Sequence, residues 1–272
     1  MTRPILTRIA GTALALGFAL AAPSLEAQQA TRDFSWNGRV APGRWLYVRN
    51  LNGAIRVERG TGDRAEVTAT KRARRGDPDR VRIVVDTVGD GSVLVCAFWT
   101  EESSCDEDGY RARGNDNWRG DNNNDTQVEF TVRLPEGVKL GVSTINGALR
   151  IDGATSEVRA ETTNGRVQAT STGGPVRASS VNGDLDIRMR ALGETGDLEY
   201  STVNGSILVE VPDGLNADVD MRTVNGSLNA DFPITLSGRV NPRHLRATIG
   251  RGGRRLRFET INGSVTLRKG AA

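Results

Sequence analysis

Histidine, cysteine and long apolar runs are scarce in this 272-residue chain, and each scarcity removes a class of function. There is one histidine, His244. It lies in the turn-like run Asn241-Pro242-Arg243-His244, and no Gly-x-Ser-x-Gly nucleophile elbow exists to supply a serine partner. There are two cysteines, Cys96 and Cys105, too few soft ligands for a structural zinc site. No Gly-rich loop ends in the Lys-Ser/Thr of a phosphate-binding loop; Gly250-Arg251-Gly252-Gly253 reads as a turn. Catalytic, cofactor-binding and metal residues are therefore all expected to be none.

The one long uncharged run is Ile9 to Ala22, behind Arg3 and Arg8. Its length suits the apolar region of a signal peptide and is short for a membrane span. Cleavage after Ala21 or Ala27 fits, and Ala27 leaves the polar Gln28-Gln29 at the new terminus, so residues 1–27 are read as a signal peptide. No membrane span is expected after cleavage, and the protein should be exported: periplasmic, on the surface or secreted. An oxidising compartment then favours a Cys96–Cys105 disulfide.

Charge excludes another class. Without Arg3, Arg8 and Glu26 the 36 basic and 33 acidic residues become 34 and 32. Such near balance argues against a nucleic-acid partner. The basic runs Lys71 to Arg75 and Arg251 to Arg257 read as solvated faces.

What the chain has in quantity is a repeat. Thr144-Ile145-Asn146-Gly147 recurs around Asn164-Gly165, Asn182-Gly183, Asn204-Gly205, Asn225-Gly226 and Asn262-Gly263, with an earlier copy at Asn52-Gly53. The spacings from Asn146 onward are 18, 18, 22, 21 and 37. The last is near twice the unit and suggests a repeat that has lost its signature. The flanks alternate, as in Val158, Ala160 and Thr162 against Arg159 and Glu161. Period-two alternation predicts strands with one buried face. No sustained helical period appears.

Asn and Gly both tolerate positive φ, which a tight turn uses. Two architectures follow. Asn-Gly joins antiparallel strands of a meander sandwich or barrel; or each unit is one rung of a right-handed β-solenoid with a stacked Asn ladder. The absence of helices to cover an open sheet, and inward side chains that are mostly small after residue 140, favour the all-β solenoid over 135–269. Residues 34–134 carry nine aromatics and longer strands, and read as an N-terminal β region or cap. Within them, 101–125 holds eight acidic residues and five Asn and reads as a flexible acidic loop. Asp106-Glu107-Asp108-Gly109 there raises Ca²⁺, but lacks the spacing of a helix-loop-helix calcium site.

Paired carboxylates are the remaining chemistry. Asp184 with Asp186, and Asp218 with Asp220, each point one way from a strand. A β-helical polysaccharide lyase or hydrolase could use such pairs; a solvated outer face is the plainer reading.

The Thr-x-Asn-Gly units, the Leu134-Pro135-Glu136-Gly137 and Val211-Pro212-Asp213-Gly214 turns, and the opening Val48-Arg49-Asn50-Leu51-Asn52-Gly53-Ala54-Ile55 resemble the adhesin-type domain family DUF4097 over roughly residues 40–269. The resemblance implies a β-helical, non-enzymatic cell-envelope protein that binds an envelope glycan or protein. It carries no catalytic residues. An envelope-stress sensor partner is a further implication.

Overall fold

Alternation converts directly into paired walls. Val158–Asn164 buries Val158, Ala160 and Thr162 and exposes Arg159 and Glu161; Val167–Ser171 buries Val167, Ala169 and Ser171. These two strands flank Asn164-Gly165 but belong to different sheets. The same holds on either side of each Asn-Gly corner, so the corner turns the chain from one wall to the other rather than into a hairpin. The computed structural model describes residues 34–111, 124–193, 196–236 and 241–270. The proposed leader, residues 1–27, lies outside them, as do residues 112–123 of the acidic loop.

Thr31–Ala272 forms one compact unit of two large sheets, ten- and eleven-stranded, with no α-helix among the described residues. Strand Lys139–Asn146 pairs in parallel with Trp45–Arg49 on one side and Val158–Asn164 on the other. Beyond the corner, Leu149–Ala154 pairs in parallel with Ile55–Arg59 and Val167–Ser171. Each unit is thus one rung, stacked in register on the next: an all-β, solenoid-like stack. The antiparallel meander is excluded for the repeat, because neighbouring units pair in parallel.

The 37-residue spacing has a different cause from a lost repeat. Arg254–Asn262 pairs in parallel with both Leu198–Asn204 and Ala217–Asn225, so the last rung in sequence occupies the slot between the two before it. The extra residues form an antiparallel pair, Ile234–Leu236 with His244–Ile249, which edges one wall. The spatial order of corners is therefore Asn52, Asn146, Asn164, Asn182, Asn204, Asn262, Asn225.

The other end repeats the device. Trp45–Arg49 and Ile55–Arg59 lie between the 139–154 rung and a later rung made by Ser92–Phe98 and Gln127–Leu134. The Asn52-Gly53 unit thus lies inside the stack. Antiparallel strands Arg64–Arg72 and Arg82–Val88 cover this end, with Phe34–Arg39 outside the former.

Between the walls runs one continuous core of Leu140, Val142, Leu149, Ile151, Val167, Ile187, Val209 and their neighbours, all buried. Burial of each such side chain contributes about 1.5–3 kcal/mol. One rung supplies only a few, which is why stacking rather than any single unit makes the core. Aromatics enter it toward both ends, Phe130 at one and the Tyr200–Phe258 stack, 5.1 Å between rings, toward the other.

Candidate binding surface at the Asn-Gly corner

Every position of Thr-x-Asn-Gly has a separate physical task. The Thr is buried and its hydroxyl donates to the Gly carbonyl of the adjacent rung: Thr162 to Gly147 at 3.0 Å, Ser180 to Gly165 at 3.0 Å, Thr202 to Gly183 at 2.9 Å, Thr260 to Gly205 at 2.9 Å. The Asn side chains form a ladder. Running from Asn225 through Asn262, Asn204, Asn182 and Asn164 to Asn146, each Nδ2 donates to the next Oδ1 at 2.7–2.8 Å.

The glycine's reason differs from the one expected. Among the seven corner glycines only Gly53 has a positive φ, +121°. At Gly147, Gly165, Gly183, Gly205, Gly226 and Gly263 a Cβ would instead collide with the Gly carbonyl of the neighbouring rung. Close approach of stacked backbones, not handedness, demands glycine there.

The x position is the one that faces out. In spatial order it reads Leu51, Ile145, Thr163, Val181, Val203, Ile261, Val224. Val181 is 41% exposed, Ile261 44% and Val224 50%; the fourth large apolar residue so exposed among those described, Val84, lies on an edge strand. Six strand spacings make this ridge about 29 Å long. Beside it run the exposed Asn amides. A depression of about 360 Å³, lined by Asp108, Tyr110, Ser143 and Glu161, also takes Ile145 and Thr163 into its wall. The Ser143 hydroxyl is buried there with no hydrogen-bond partner among the described residues.

The carboxylate pairs are already engaged. Asp184 accepts from the Ser206 amide and from Arg166, which together hold it below the usual carboxylate range. Asp186 pairs with Arg188. Asp218 accepts from Thr248 and the Gly253 amide, and Asp220 from Arg222, Arg246 and His244. Burial alone would raise Asp220, but the hydrogen bond and charge of Arg222, with those of His244, outweigh it and leave its pKa lowered. His244 thus meets one carboxylate, Asp220, and one guanidinium, Arg222, with no serine among these partners.

Cys96 and Cys105 are joined, with Cα atoms 6.4 Å apart. The bond ties the short hairpin Ser104–Cys105 with Tyr110–Arg111 against the wall, so part of the stretch expected to be a flexible loop is structured. Asp106 is taken up by its own turn, accepting from the Asp108 and Gly109 amides and pairing with Arg111. No cluster of three or more metal-ligating side chains occurs among the described residues.

Two features went unread in the sequence. Asn50, fully buried, donates to the Gly53 and Val128 carbonyls and closes the first corner. Trp45 and Tyr47 stack at 5.4 Å under Arg159, Lys139 and Arg49. Gly141 on the adjacent strand makes room for the Tyr47 ring. Burial lowers the Arg49 guanidinium and raises the Tyr47 hydroxyl. Nothing periodic marks such residues, since their partners lie on other rungs or in the hairpin.

Among the described residues no helix is long and apolar enough to cross a membrane. The Toastrack DUF4097 family model matches residues 113–268. Two solved structures are similar to this chain at low identity. A candidate cell adhesion protein from Clostridium sporogenes ATCC 15579 is 9% identical, with a TM-score of 0.43, 87% of this chain covered and 99% of that one. A candidate adhesin from Bacteroides fragilis NCTC 9343 is 11% identical, with a TM-score of 0.31, 87% of this chain covered and 96% of that one. No curated protein sequence matches.

Proposed function

This chain belongs to the Toastrack DUF4097 family, and we propose that it is an exported, non-enzymatic, adhesin-like binding module of the cell envelope. The carrying observation is the ridge: three of the four most exposed large apolar residues described, Val181, Ile261 and Val224, stand in one column beside the Asn ladder. Exposed apolar residues scattered singly need no explanation, whereas a contiguous row marks a contact surface. Stability does not call for branched apolar side chains at x, because the Thr, Asn and Gly of each unit already satisfy the corner. Aliphatic side chains edged by amides suit a protein partner with an extended apolar segment, its backbone bonding to the free Asn N–H and C=O groups. The leader-like run at Ile9 to Ala22 supports export.

The test compares the mature protein with Val181→Asp/Val224→Asp/Ile261→Asp in capture from envelope extracts, with a glycan array alongside. A protein retained by the wild type and lost by the variant, at unchanged circular dichroism and melting temperature, supports the ridge. Retention by both removes the ridge from the proposal. Binding to a glycan alone replaces the protein partner.

A further inference from the structure

Asn-Gly is the dipeptide whose side-chain amide is most easily lost, because glycine leaves its own backbone nitrogen free to attack the Asn Cγ. The stack holds seven such corners, and asparagine is a thermolabile residue. Closure needs a Gly nitrogen free of other bonds. In six corners it is engaged: Gly53 N–H donates to the Asn146 carbonyl at 2.8 Å, and Gly147, Gly165, Gly183, Gly205 and Gly263 donate to Asn164, Asn182, Asn204, Asn262 and Asn225, each at 3.0 Å. The seventh, Gly226, has no acceptor among the described residues. It lies in the outermost rung, where Val224, Asn225, Gly226 and Ser227 are all exposed and the following strand, Leu228–Ala230, is three residues long at the open edge of its sheet.

We propose that Asn225-Gly226 is a site of spontaneous deamidation in the folded protein, while the rest of the ladder protects itself. The Gly226 nitrogen bonds to Asn225 Cγ, the Cγ–Nδ2 bond breaks, and ammonia leaves with the Gly226 proton. Water then opens the resulting five-membered imide at either carbonyl, giving aspartate or β-linked isoaspartate. Neither product carries the Nδ2 donor that now reaches Asn262 Oδ1 at 2.8 Å.

The ladder also has a direction. Each Gly N–H is covered by the rung lying toward Asn225, so damage there uncovers Gly263 next, and then Gly205. Loss at the Asn52 end uncovers none of the later glycines. Ageing therefore proceeds inward from one end only. An eighth Asn-Gly, Asn37-Gly38, lies in strand Phe34–Arg39 with its amide held by Arg64 and Glu66, and is expected to be slow.

Peptide mapping by mass spectrometry, with aspartate and isoaspartate resolved, tests this on native protein incubated at mildly alkaline pH. Residue 225 should convert at least about tenfold faster than 146, 164, 182 and 204, the factor that about 1.4 kcal/mol of local opening supplies. Asn262 should follow 225 in time, and unfolding in urea should bring all corners to similar rates. Asn225→Gln should abolish the fast phase. Equal rates in the native state, a faster interior corner, or a fast phase that survives Asn225→Gln overturns the proposal.

Discussion

Thr202 Oγ1 donates to the carbonyl of Gly183, 2.9 Å away on the neighbouring rung. The hydroxyl is buried, and no other donor to that carbonyl occurs among the described residues. Thr202→Val keeps the shape and leaves a half-buried acceptor without its donor, which costs about 1 kcal/mol. Thr163→Val, one position over in the outward column, removes no such bond and should stay within about 0.5 kcal/mol of wild type. Urea midpoints of the two variants check the contrast; equal values would reassign the Thr to side-chain packing alone.

The same carbonyl sets the second expectation. A methyl at residue 205 would collide with the Gly183 oxygen, although the φ of Gly205 is not in the left-handed region. Gly205→Ala should therefore destabilise by about 3 kcal/mol or more, as an overpacked core does. At Gly62 a Cβ meets nothing within 4 Å. There Ala should be neutral or stabilise by up to about 1 kcal/mol through the unfolded chain. Melting temperatures of both variants decide whether close approach or turn conformation demands the corner glycine.

How much of this was legible follows from which contacts are local. The repeat, the alternation and the parallel stack could be read, because Thr162, Asn164 and Gly165 bond to residues one unit away and so recur at that period. The order of the last rungs could not. Whether Asn262 lies beyond Asn225 or between it and Asn204 depends on pairing partners that are identical in type, and a 37-residue spacing fits either arrangement. The outward column was also hidden: Val181 and Ile261 look like core residues until the corner places them outside. Arg49 reads as a strand cation, yet it is buried beneath a hairpin that the Cys96–Cys105 bond ties to the wall.

Acid should weaken the Asp220 end of the stack. Asp220 has a lowered folded pKa, so its contribution is fully present above its unfolded value of about 3.9 and is lost as pH falls through the folded value. Two guanidinium groups and an imidazole share this carboxylate: Arg222 at 3.1 Å, Arg246 at 3.3 Å and His244 at 3.0 Å. Asp220→Asn should lower stability at neutral pH and flatten the acid limb of the stability profile between about pH 5 and 2. Urea midpoints across that range measure it. A parallel downward shift, with the acid limb unchanged, would show that the carboxylate acts by shape and not by charge.

Opening the Cys96–Cys105 bond should act locally. The bond closes a loop of sequence separation 9, and the chain-entropy model gives about 2–3 kcal/mol for one of that size. Its structural reach is short: it fixes the hairpin whose Asp106 and Glu107 carbonyls accept the buried Arg49 guanidinium. With Cys96→Ala/Cys105→Ala the hairpin can lift, and Arg49 regains water while keeping its place over Tyr47. Nothing in the rungs from Leu149 to Val211 leans on the hairpin through a strand pair. In a quasi-one-dimensional stack each rung answers mainly to its neighbours. Hydrogen exchange in the variant should therefore accelerate across 99–111 and at the Trp45–Arg49 strand, leaving the amides of Val167–Ser171 and Leu185–Met189 as protected as before. Acceleration spread evenly along the stack would mean that the bond supports the whole solenoid rather than one end of it.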